Sequence, residues 1–381
     1  MREGGVLLVF TRLINKMRWS FASVNFREHI LHKVHKKLPN VDVQFRPIPS
    51  STKEDVRIAE RILLALKKAE KDEHKTQTGD LWDRIQQERH GDFYEIYHDP
   101  IKVAEYMNNM NQHGITHGTG SSSLSIYQAL SKYPRLRHEW GVYVKDTMIS
   151  FAEAVGVLPR NLDKENLYLD EHTVLDSIEE KIGTFTPSAI EGGLYKLKIN
   201  GKYFDSRDFW SAHLVWRARE IAGSNAAVAE IGGGIGKAAL FASQFGIKNY
   251  YIYDLPLLNL AQAWYLIKNG VDVVLYGEDA RPDCIQILPH WEFAKGSFDI
   301  TLNADSFPEM DASVVVEYLR IIKKNTRKYL LSINAEEEGV YGDGRKHIVL
   351  QDVVKKVGGF KLVYRSPLWF ANNYVEELYR W

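Results

Sequence analysis

A run of three glycines between a strand-like and a helix-like segment constrains this chain more than any other feature. The stretch reads VAEIGGGIGKAALFA and covers residues 228–242. An apolar run precedes the glycines, and an alanine-rich segment with helical periodicity follows them. A glycine-rich turn from a strand into a helix allows the backbone to approach a nucleotide closely. The stretch therefore predicts a nucleotide-like ligand, and the rest of the chain must indicate which one.

Strand-like and helix-like segments alternate through the whole C-terminal half. The strand-like segments are AAVAEIG, NYYIYDL, VDVVLYGE, SFDITLNA and KYLLSINA, and the helical segments between them include PLLNLAQAWYLIKNG and ASVVVEYLRIIKK. This alternation predicts an α/β fold with a mostly parallel sheet and helices on both faces. Two further strand-like segments, FKLVYRS and NYVEELYR, follow a helix at 347–357 and predict an antiparallel C-terminal edge.

The N-terminal half differs from the C-terminal half because its sequence patterns are mostly helical. Apolar residues recur at helical spacing around 126–133 and 140–155, which predicts helices that bury one face. We expect residues 1–195 to form a helical domain that serves as a lid, a substrate-binding element or a dimerisation surface. Residues 196–381 are then the ligand-binding domain. Dimerisation through the first domain would make the protein a homo-oligomer.

Composition excludes several classes of protein. The chain has 381 residues, and its 49 Lys and Arg balance its 49 Asp and Glu, so no global charge points to nucleic acid. The single cysteine, Cys284, rules out a disulfide framework and predicts a reducing compartment. No run of about 20 apolar residues occurs, so we expect no membrane span and a cytoplasmic location. Residues 1–50 carry nine Lys or Arg against three acids, which fits a solvated terminus better than a lipid-binding one.

Two common nucleotide motifs fit the glycine stretch poorly. A phosphate-binding loop needs a Ser or Thr after Gly-Lys, but Ala238 follows Lys237, and Ile231 stands where its first glycine belongs. The dinucleotide pattern fits only in the register Gly234, Gly236 and Ala239, so an NAD(P) oxidoreductase is a weak alternative.

S-adenosyl-L-methionine fits better because it has no pyrophosphate to bind. Glu230 stands just before the glycines, where an acid can hold the ligand's ammonium directly or through water. Asp254 ends the next strand, where an acid can accept hydrogen bonds from both ribose hydroxyls. Asp254 alone does not discriminate between the two ligands, but Glu230 and the terminal strand pair favour S-adenosyl-L-methionine.

With these residues in place, the chain resembles the class I methyltransferase fold. The resemblance is carried by EIGGGIG, YIYDLPLLNLAQAWYL and NADSFPEM, and it covers about residues 200–381. More narrowly, the chain resembles the sugar O-methyltransferases associated with bacterial surface-polysaccharide and antibiotic gene sets, which also end in a Tyr-x-Glu strand, here Tyr374 to Glu376. The resemblance implies a Rossmann-like methyltransferase domain that methylates a sugar hydroxyl of a polysaccharide or glycosylated metabolite. An O-methyltransferase for a non-sugar metabolite and a non-catalytic binding module of the same fold are the alternatives.

The resemblance also implies roles for residues of the cofactor site. The cofactor-binding residues are Glu230, Gly232, Gly233, Gly234, Asp254, Leu255, Glu278, Asp279, Asn303 and Ser306. Two segments compete for the adenine at the end of the third strand: the acidic pair Glu278-Asp279, which we favour slightly, and ILPHW at 287–291, where Trp291 could stack.

Methyl transfer to a hydroxyl also requires that its proton be removed. The predicted catalytic residues are Asp305, His290 and Glu309. Each also has a purely structural interpretation: Asp305, like Ser306, as a loop or helix cap, Glu309 as first-turn charge, and His290 as a satisfied buried histidine. A divalent metal could lower the hydroxyl's pKa instead, but the sequence has no metal motif, and the acids at 336–338 fit a solvated loop better. The aromatic and polar residues that a sugar pocket would draw on are Trp210, His213, Trp369 and Tyr374.

Overall fold

The structure is a computed structural model, and it describes residues 41–72, 91–116, 124–158, 170–337, 339–340, 346–371 and 373–381. Residues 42–160 and 170–381 form one compact unit, to which the account below refers. The second unit, residues 1–41 and 161–169, falls outside the described residues apart from Val41. The basic N-terminal segment, residues 73–90 and Glu338 are likewise outside them.

An eight-stranded sheet forms the centre of the described unit. Its strands are β4 (Val228–Ile231), β5 (Tyr250–Asp254), β6 (Val273–Leu275), β7 (Ile285–Pro289), β8 (Phe298–Ala304), β9 (Thr326–Ala335), β12 (Lys361–Pro367) and β13 (Tyr374–Arg380). Their order across the sheet is β12-β13-β9-β8-β4-β5-β7-β6. The strands from β9 to β6 run parallel, whereas β13 is antiparallel to both of its neighbours. The predicted fold class, an α/β Rossmann-like sheet with an antiparallel C-terminal edge, is therefore confirmed.

Helices flank the sheet in the alternating order that the sequence predicts. They are α7 (Ser206–Ala222), α8 (Lys237–Gln244), α9 (Pro256–Lys268), α10 (Ala312–Asn325) and α11 (Leu350–Val357). One face of β4, with Ala229 and Ile231, packs into a buried apolar cluster with residues of α10 and α11. Since side chains alternate along a strand, Glu230 points to the opposite face.

The N-terminal part of the described unit contains helices and a small sheet. The helices are α1 (Lys53–Asp72), α2 (Gly91–Tyr94), α3 (Pro100–Asn108), α4 (Leu124–Lys132), α5 (Pro134–Ala154) and α6 (Glu171–Ile182). The strands β1 (Val43–Arg46), β2 (Leu194–Ile199) and β3 (Lys202–Phe204) form an antiparallel sheet, and β10 (Gly339–Val340) pairs with β11 (Lys346–His347). The predicted boundary between residues 195 and 196 falls inside β2, and the division into two domains at that point stays a prediction.

Three local expectations differ from the structure. The strand-like segment VDVVLYGE forms only the short edge strand β6, and the strand next to β5 is β7, in a segment that the sequence analysis did not assign as a strand. Ile126 and Tyr133, predicted to be buried, are exposed. The sequence also suggests Asp311 as the cap of the helical segment ASVVVEYLRIIKK. Asp311 does occupy the residue before α10, but its side chain makes no capping hydrogen bond. Among the helices that the structure describes, none is long and apolar enough to cross a bilayer.

Candidate functional site

The glycine-rich turn connects β4 to α8 in a conformation that requires glycine. Gly232 has φ 76°, in the left-handed region, and a Cβ there would overlap the side chain of Ser306. Gly233 has ordinary φ, but a Cβ on it would lie 2.7 Å from Ile252 Cγ2. The turn therefore exposes bare backbone, and any side chain at these positions would displace its neighbours.

Two carboxylates are buried beside this turn. Glu230 lies in β4 and accepts a hydrogen bond from the Tyr250 hydroxyl, 2.9 Å from Oε2. Asp254 ends β5, and its oxygens accept hydrogen bonds from the backbone N–H of Leu255 and from Gln262 Nε2, each 2.8 Å away. Burial raises the pKa of both carboxyl groups to about 7. Neither carboxylate has an ion-pair partner within 4 Å among the described residues, so both are stabilised mainly in the neutral form.

A cavity of about 610 Å³ opens at the carboxyl ends of the parallel strands, the usual position of ligands in open α/β sheets. The predicted site residues that line it are Glu230, Gly232, Gly233, Gly234, Asp254, Leu255, His290, Asp305, Ser306 and Glu309. Ten of the thirteen predicted site residues thus line this cavity, although their chemical roles stay predictions.

Asn303 lies beneath the lining and holds the turn in place. Its Nδ2 donates to the Ile231 carbonyl at 3.0 Å and to Ser306 Oγ at 2.5 Å, and the Ser306 hydroxyl donates to the same carbonyl at 3.1 Å. Asn303 is fully buried and does not line the cavity. It therefore acts on the cavity through Ser306 and the backbone of β4.

Asp305 sits at the end of β8 in a left-handed conformation, with φ 60°. One carboxylate oxygen accepts a hydrogen bond from the Tyr374 hydroxyl at 2.5 Å, and the other from Arg207 Nη1 at 3.0 Å. The Arg207 guanidinium lies 4.7 Å from the centre of the Trp210 ring. This network links α7, β8 and β13 at one end of the cavity, and Arg207, Trp210 and Asp305 all line it. Trp369 does not line the cavity and is 73% exposed.

The acidic pair Glu278-Asp279 does not line the cavity. The predicted role of this pair, binding the adenine, requires that it does. The guanidinium of Arg61, on α1, binds both oxygens of Glu278 at 2.7 Å, and this bond lowers the pKa of Glu278. The reason is topological: the pair follows the edge strand β6, whereas β7 is the neighbour of β5. The competing segment ends β7, and its residues His290 and Trp291 do line the cavity.

A buried charge cluster around the first residue of α8 was not predicted. Lys237, the first residue of α8, lies 3.0 Å from Glu191 Oε2, 3.0 Å from Asp205 Oδ2 and 2.7 Å from Asp208 Oδ1. Lys196 contacts the same three acids and is completely buried. We call these five residues the lysine–acid cluster. Although burial opposes it, Lys196 and Lys237 hold the pKa of Asp205 below its usual value.

The three acids of this cluster are also a candidate metal-binding group, with ligand atoms within 4.8 Å of one another. In the structure their oxygens bind the ammonium groups of Lys196 and Lys237. Two fixed positive charges among the donor atoms disfavour a divalent cation. This donor set therefore does not fit a metal, and no step is assigned to one.

His213, on α7, lines the cavity and is bound to Glu376 of β13, with Nε2 2.6 Å from Oε2. His213 was predicted only as a pocket residue, and Glu376 appeared only as part of the Tyr-x-Glu pattern. The two are 163 residues apart. No local spacing signals the contact, because it depends on the antiparallel position of β13.

Comparisons with known proteins give only distant structural similarity. No family model matches this chain, and no curated protein does. Solved structures with a similar fold include the mitomycin 7-O-methyltransferase MmcR, with 19% identity over 46% of this chain and 57% of that chain, and a TM-score of 0.33. The magnesium protoporphyrin IX methyltransferase ChlM from Synechocystis PCC 6803, with bound SAH, has 11% identity over 45% and 81% of the two chains, and a TM-score of 0.34.

The glycopeptide N-methyltransferase MtfA, complexed with (S)-adenosyl-L-homocysteine, is similar over 45% of this chain and 89% of its own, with 12% identity and a TM-score of 0.35. Each likeness covers less than half of the present chain. The function must therefore be argued from the cavity itself.

Proposed function

We propose that this protein is an S-adenosyl-L-methionine-dependent O-methyltransferase. The observation that carries the proposal is the pair of buried carboxylates, Glu230 and Asp254, which flank the glycine turn without a cationic partner among the described residues. An isolated buried carboxylate is costly, and a ligand that brings positive charge or hydroxyl donors offsets that cost. S-adenosyl-L-methionine carries an ammonium, a sulfonium and two ribose hydroxyls.

The residues of the turn fit this ligand better than they fit a dinucleotide. Gly232 and Gly233 leave backbone where a side chain would block close approach. A pyrophosphate at the turn would face Glu230, and two like charges in a poorly hydrated cavity repel each other strongly. Glu230 would hold the ammonium, and Asp254 would accept from the ribose hydroxyls.

We propose that the adenine of the ligand binds at the end of β7, because His290 and Trp291 line the cavity there. The Trp291 ring offers a flat apolar face on which a base can stack. Glu278 is held by Arg61 outside the lining, so it is the weaker candidate.

Bound S-adenosyl-L-methionine supplies a methyl group on a positively charged sulfur, so the donor arrives already activated. The chain's own task is to align the acceptor oxygen with that methyl group and to exclude water, which can contribute about 7–11 kcal/mol to lowering the barrier. Apolar lining residues, among them Leu214, Leu368 and Phe370, would help to exclude water from the cavity.

The acceptor is proposed to be a sugar hydroxyl of a polysaccharide or glycosylated metabolite. Arg207 and Asp305 offer hydrogen-bonding groups, and Trp210 offers an aromatic face for the C–H side of a sugar ring. The aliphatic part of the lining favours a second candidate, a hydroxyl on a more apolar metabolite. Phenols such as catechol and sugars such as methyl α-D-glucopyranoside, offered with labelled S-adenosyl-L-methionine, distinguish the two acceptor classes.

Calorimetry with S-adenosyl-L-homocysteine tests the proposal. We expect the wild-type protein to bind it and not NAD⁺, and we expect Asp254→Asn to weaken binding roughly 10- to 100-fold, the value of a hydrogen bond to a charged group. Asp283→Asn is the matched control, because this aspartate is exposed and outside the cavity. Absence of binding, or binding of NAD⁺ alone, would refute the proposal, and binding without methyl transfer would indicate a non-catalytic module.

A further inference from the structure

Two histidines line the cavity, and they differ in their surroundings. Burial lowers the pKa of His290 to about 4, which makes its imidazole a weak base. His213 instead has a carboxylate 2.6 Å from Nε2, that of Glu376. A carboxylate that binds one ring nitrogen fixes the tautomer and orientation of the imidazole, so His213 is the better placed of the two to accept a proton.

Glu376 is held as an anion by several donors. Arg217 Nε donates to its Oε1 at 2.7 Å, and the Tyr364 hydroxyl donates to the same oxygen. Burial opposes ionisation, but the hydrogen bonds from His213, Tyr364 and Arg217 lower the pKa of Glu376 to about 2. An ionised carboxylate only accepts hydrogen bonds, so the neutral His213 ring must carry its proton on Nε2.

In that tautomer Nδ1 is the ring atom with a free lone pair. Nδ1 of His213 is buried and has no hydrogen-bond partner among the described residues. A buried acceptor without a donor costs about 1–3 kcal/mol, so such atoms are rare unless something else supplies the donor. Because the ring belongs to the cavity wall, a hydroxyl group bound in the cavity is a donor of the required kind.

We propose that His213 is the general base that removes the proton from the acceptor hydroxyl, and that Glu376 is the positioning residue that fixes its tautomer. This inference rests on the proposed function. The acceptor O–H proton moves to Nδ1 while an oxygen lone pair forms the new O–CH₃ bond. The C–S bond breaks with its electron pair staying on sulfur, so the sulfonium becomes a neutral thioether and His213 becomes an imidazolium paired with Glu376.

Asp305 is the competing base at the same end of the cavity. Both of its oxygens already accept hydrogen bonds, one from Arg207 and one from Tyr374. Accepting a proton would disrupt these bonds, whereas Nδ1 of His213 would gain its first partner. The geometry therefore favours His213 over Asp305, one of the three catalytic residues that the sequence suggested.

The tautomer can be measured without any acceptor. In ¹⁵N-histidine-labelled protein at pH 8, with His213→Asn to assign the signal, we expect the neutral His213 ring to carry its proton on Nε2. In Glu376→Gln the amide oxygen should stay with Arg217 and Tyr364, so the amide NH₂ faces His213 and the proton should move to Nδ1. A purely packing role for Glu376 would leave the tautomer unchanged, and an Nδ1–H wild-type ring would overturn the proposal.

Transfer from methyl-labelled S-adenosyl-L-methionine into methyl α-D-glucopyranoside, catechol and a small-molecule extract of the producing cells completes the test. His213→Asn should lower transfer about 10²- to 10⁴-fold, while calorimetric affinity for S-adenosyl-L-homocysteine stays within about threefold, which also shows that the variant is folded. Glu220→Gln, an exposed change on the same helix, should leave both unchanged.

The outcomes separate the two proposals. Failure of the wild-type protein to bind S-adenosyl-L-homocysteine refutes the proposed function and with it this inference. Binding followed by no transfer to any probe refutes the methyltransferase activity and with it the base, whereas full transfer by His213→Asn refutes the base alone.

Discussion

Two groups of buried carboxylates adjoin the glycine-rich segment, and they differ in whether the chain supplies cations to them. Glu230 lies two residues before the first glycine, Gly232, and neither it nor Asp254 has an ion-pair partner among the described residues. The lysine–acid cluster includes Lys237, which immediately follows Gly236, and there two lysines accompany three acids. The first pair has pKa values near 7. In the second group the two lysines hold the pKa of Asp205 below its usual value, while burial and the neighbouring Asp205 raise the pKa of Asp208 to about 6.

This difference separates a structural role from a ligand-binding role. In the lysine–acid cluster the cost of burying charge is offset within the chain, so the cluster can tie β2, α7 and α8 together at all times. In the Glu230–Asp254 pair no cation of the described residues offsets the cost of burying the carboxylates, as expected for a site that a ligand completes. The comparison can be tested by removing a cation from one group and by adding one to the other.

The largest effect is expected from Lys196→Met. Removing this completely buried ammonium leaves three acids with one lysine, and breaking a buried ion pair in this way typically costs about 3–5 kcal/mol. Urea unfolding followed by circular dichroism measures the change in the free energy of unfolding. Lys198→Met, two residues along the same strand and only partly buried, is the matched control and should change it by less than about 1 kcal/mol. Equal losses for the two variants would show that the lysine–acid cluster does not stabilise the fold.

A smaller effect is expected from pH on the Glu230–Asp254 pair. Both folded pKa values, about 7, lie above the ordinary values of 4.5 and 3.8. The protonated groups therefore favour the unliganded fold at low pH, and this stability is lost as pH rises from about 4 to about 7. A cationic ligand prefers the ionised pair, so affinity for S-adenosyl-L-methionine should rise between pH 5.5 and 7.5, by up to about tenfold per pH unit for each carboxyl group.

Calorimetry in two buffers with different ionisation enthalpies measures the proton release that must accompany this binding. We expect protons to be released near pH 6.5, and fewer of them in Glu230→Gln. Affinity that does not depend on pH across this range would mean that neither carboxylate meets a cation in the complex.

The sequence predicted the fold well where periodicity is strong and local. Alternating strand-like and helix-like segments were sufficient to predict the parallel sheet. Glu230 and Asp254 could be predicted to lie beside the glycine turn because each stands in, or at the end of, a predicted strand. The strand β7 was missed because its segment, ARPDCIQILPHW, contains two prolines and little apolar alternation. Because β7 was not predicted, β6 was the expected neighbour of β5, and the adenine was assigned to the residues that follow β6.

Contacts between distant segments could not be predicted from any spacing. The members of the lysine–acid cluster come from positions 191, 196, 205, 208 and 237, and only folding brings their charges together. The same is true of His213 with Glu376 and of Arg61 with Glu278, which are 163 and 217 residues apart. A single sequence shows which residues can do chemistry, but not which of them already have partners.

The smallest effect is expected from Glu278→Gln. This variant tests whether Glu278, the acid first predicted to bind the adenine, contributes to ligand binding. Its ion pair with Arg61 is about one third exposed, with side chains at 33% and 37%, so its loss should cost at most about 1 kcal/mol of unfolding free energy. The amide oxygen can still accept from the Leu275 backbone N–H, which limits the loss further. Because the cavity lining excludes this side chain, affinity for S-adenosyl-L-homocysteine should stay within about twofold of wild type, in contrast to Asp254→Asn. A tenfold loss of affinity would instead indicate that the adenine binds at Glu278. It would also show that an acid paired with a cation of the chain can still take part in ligand binding.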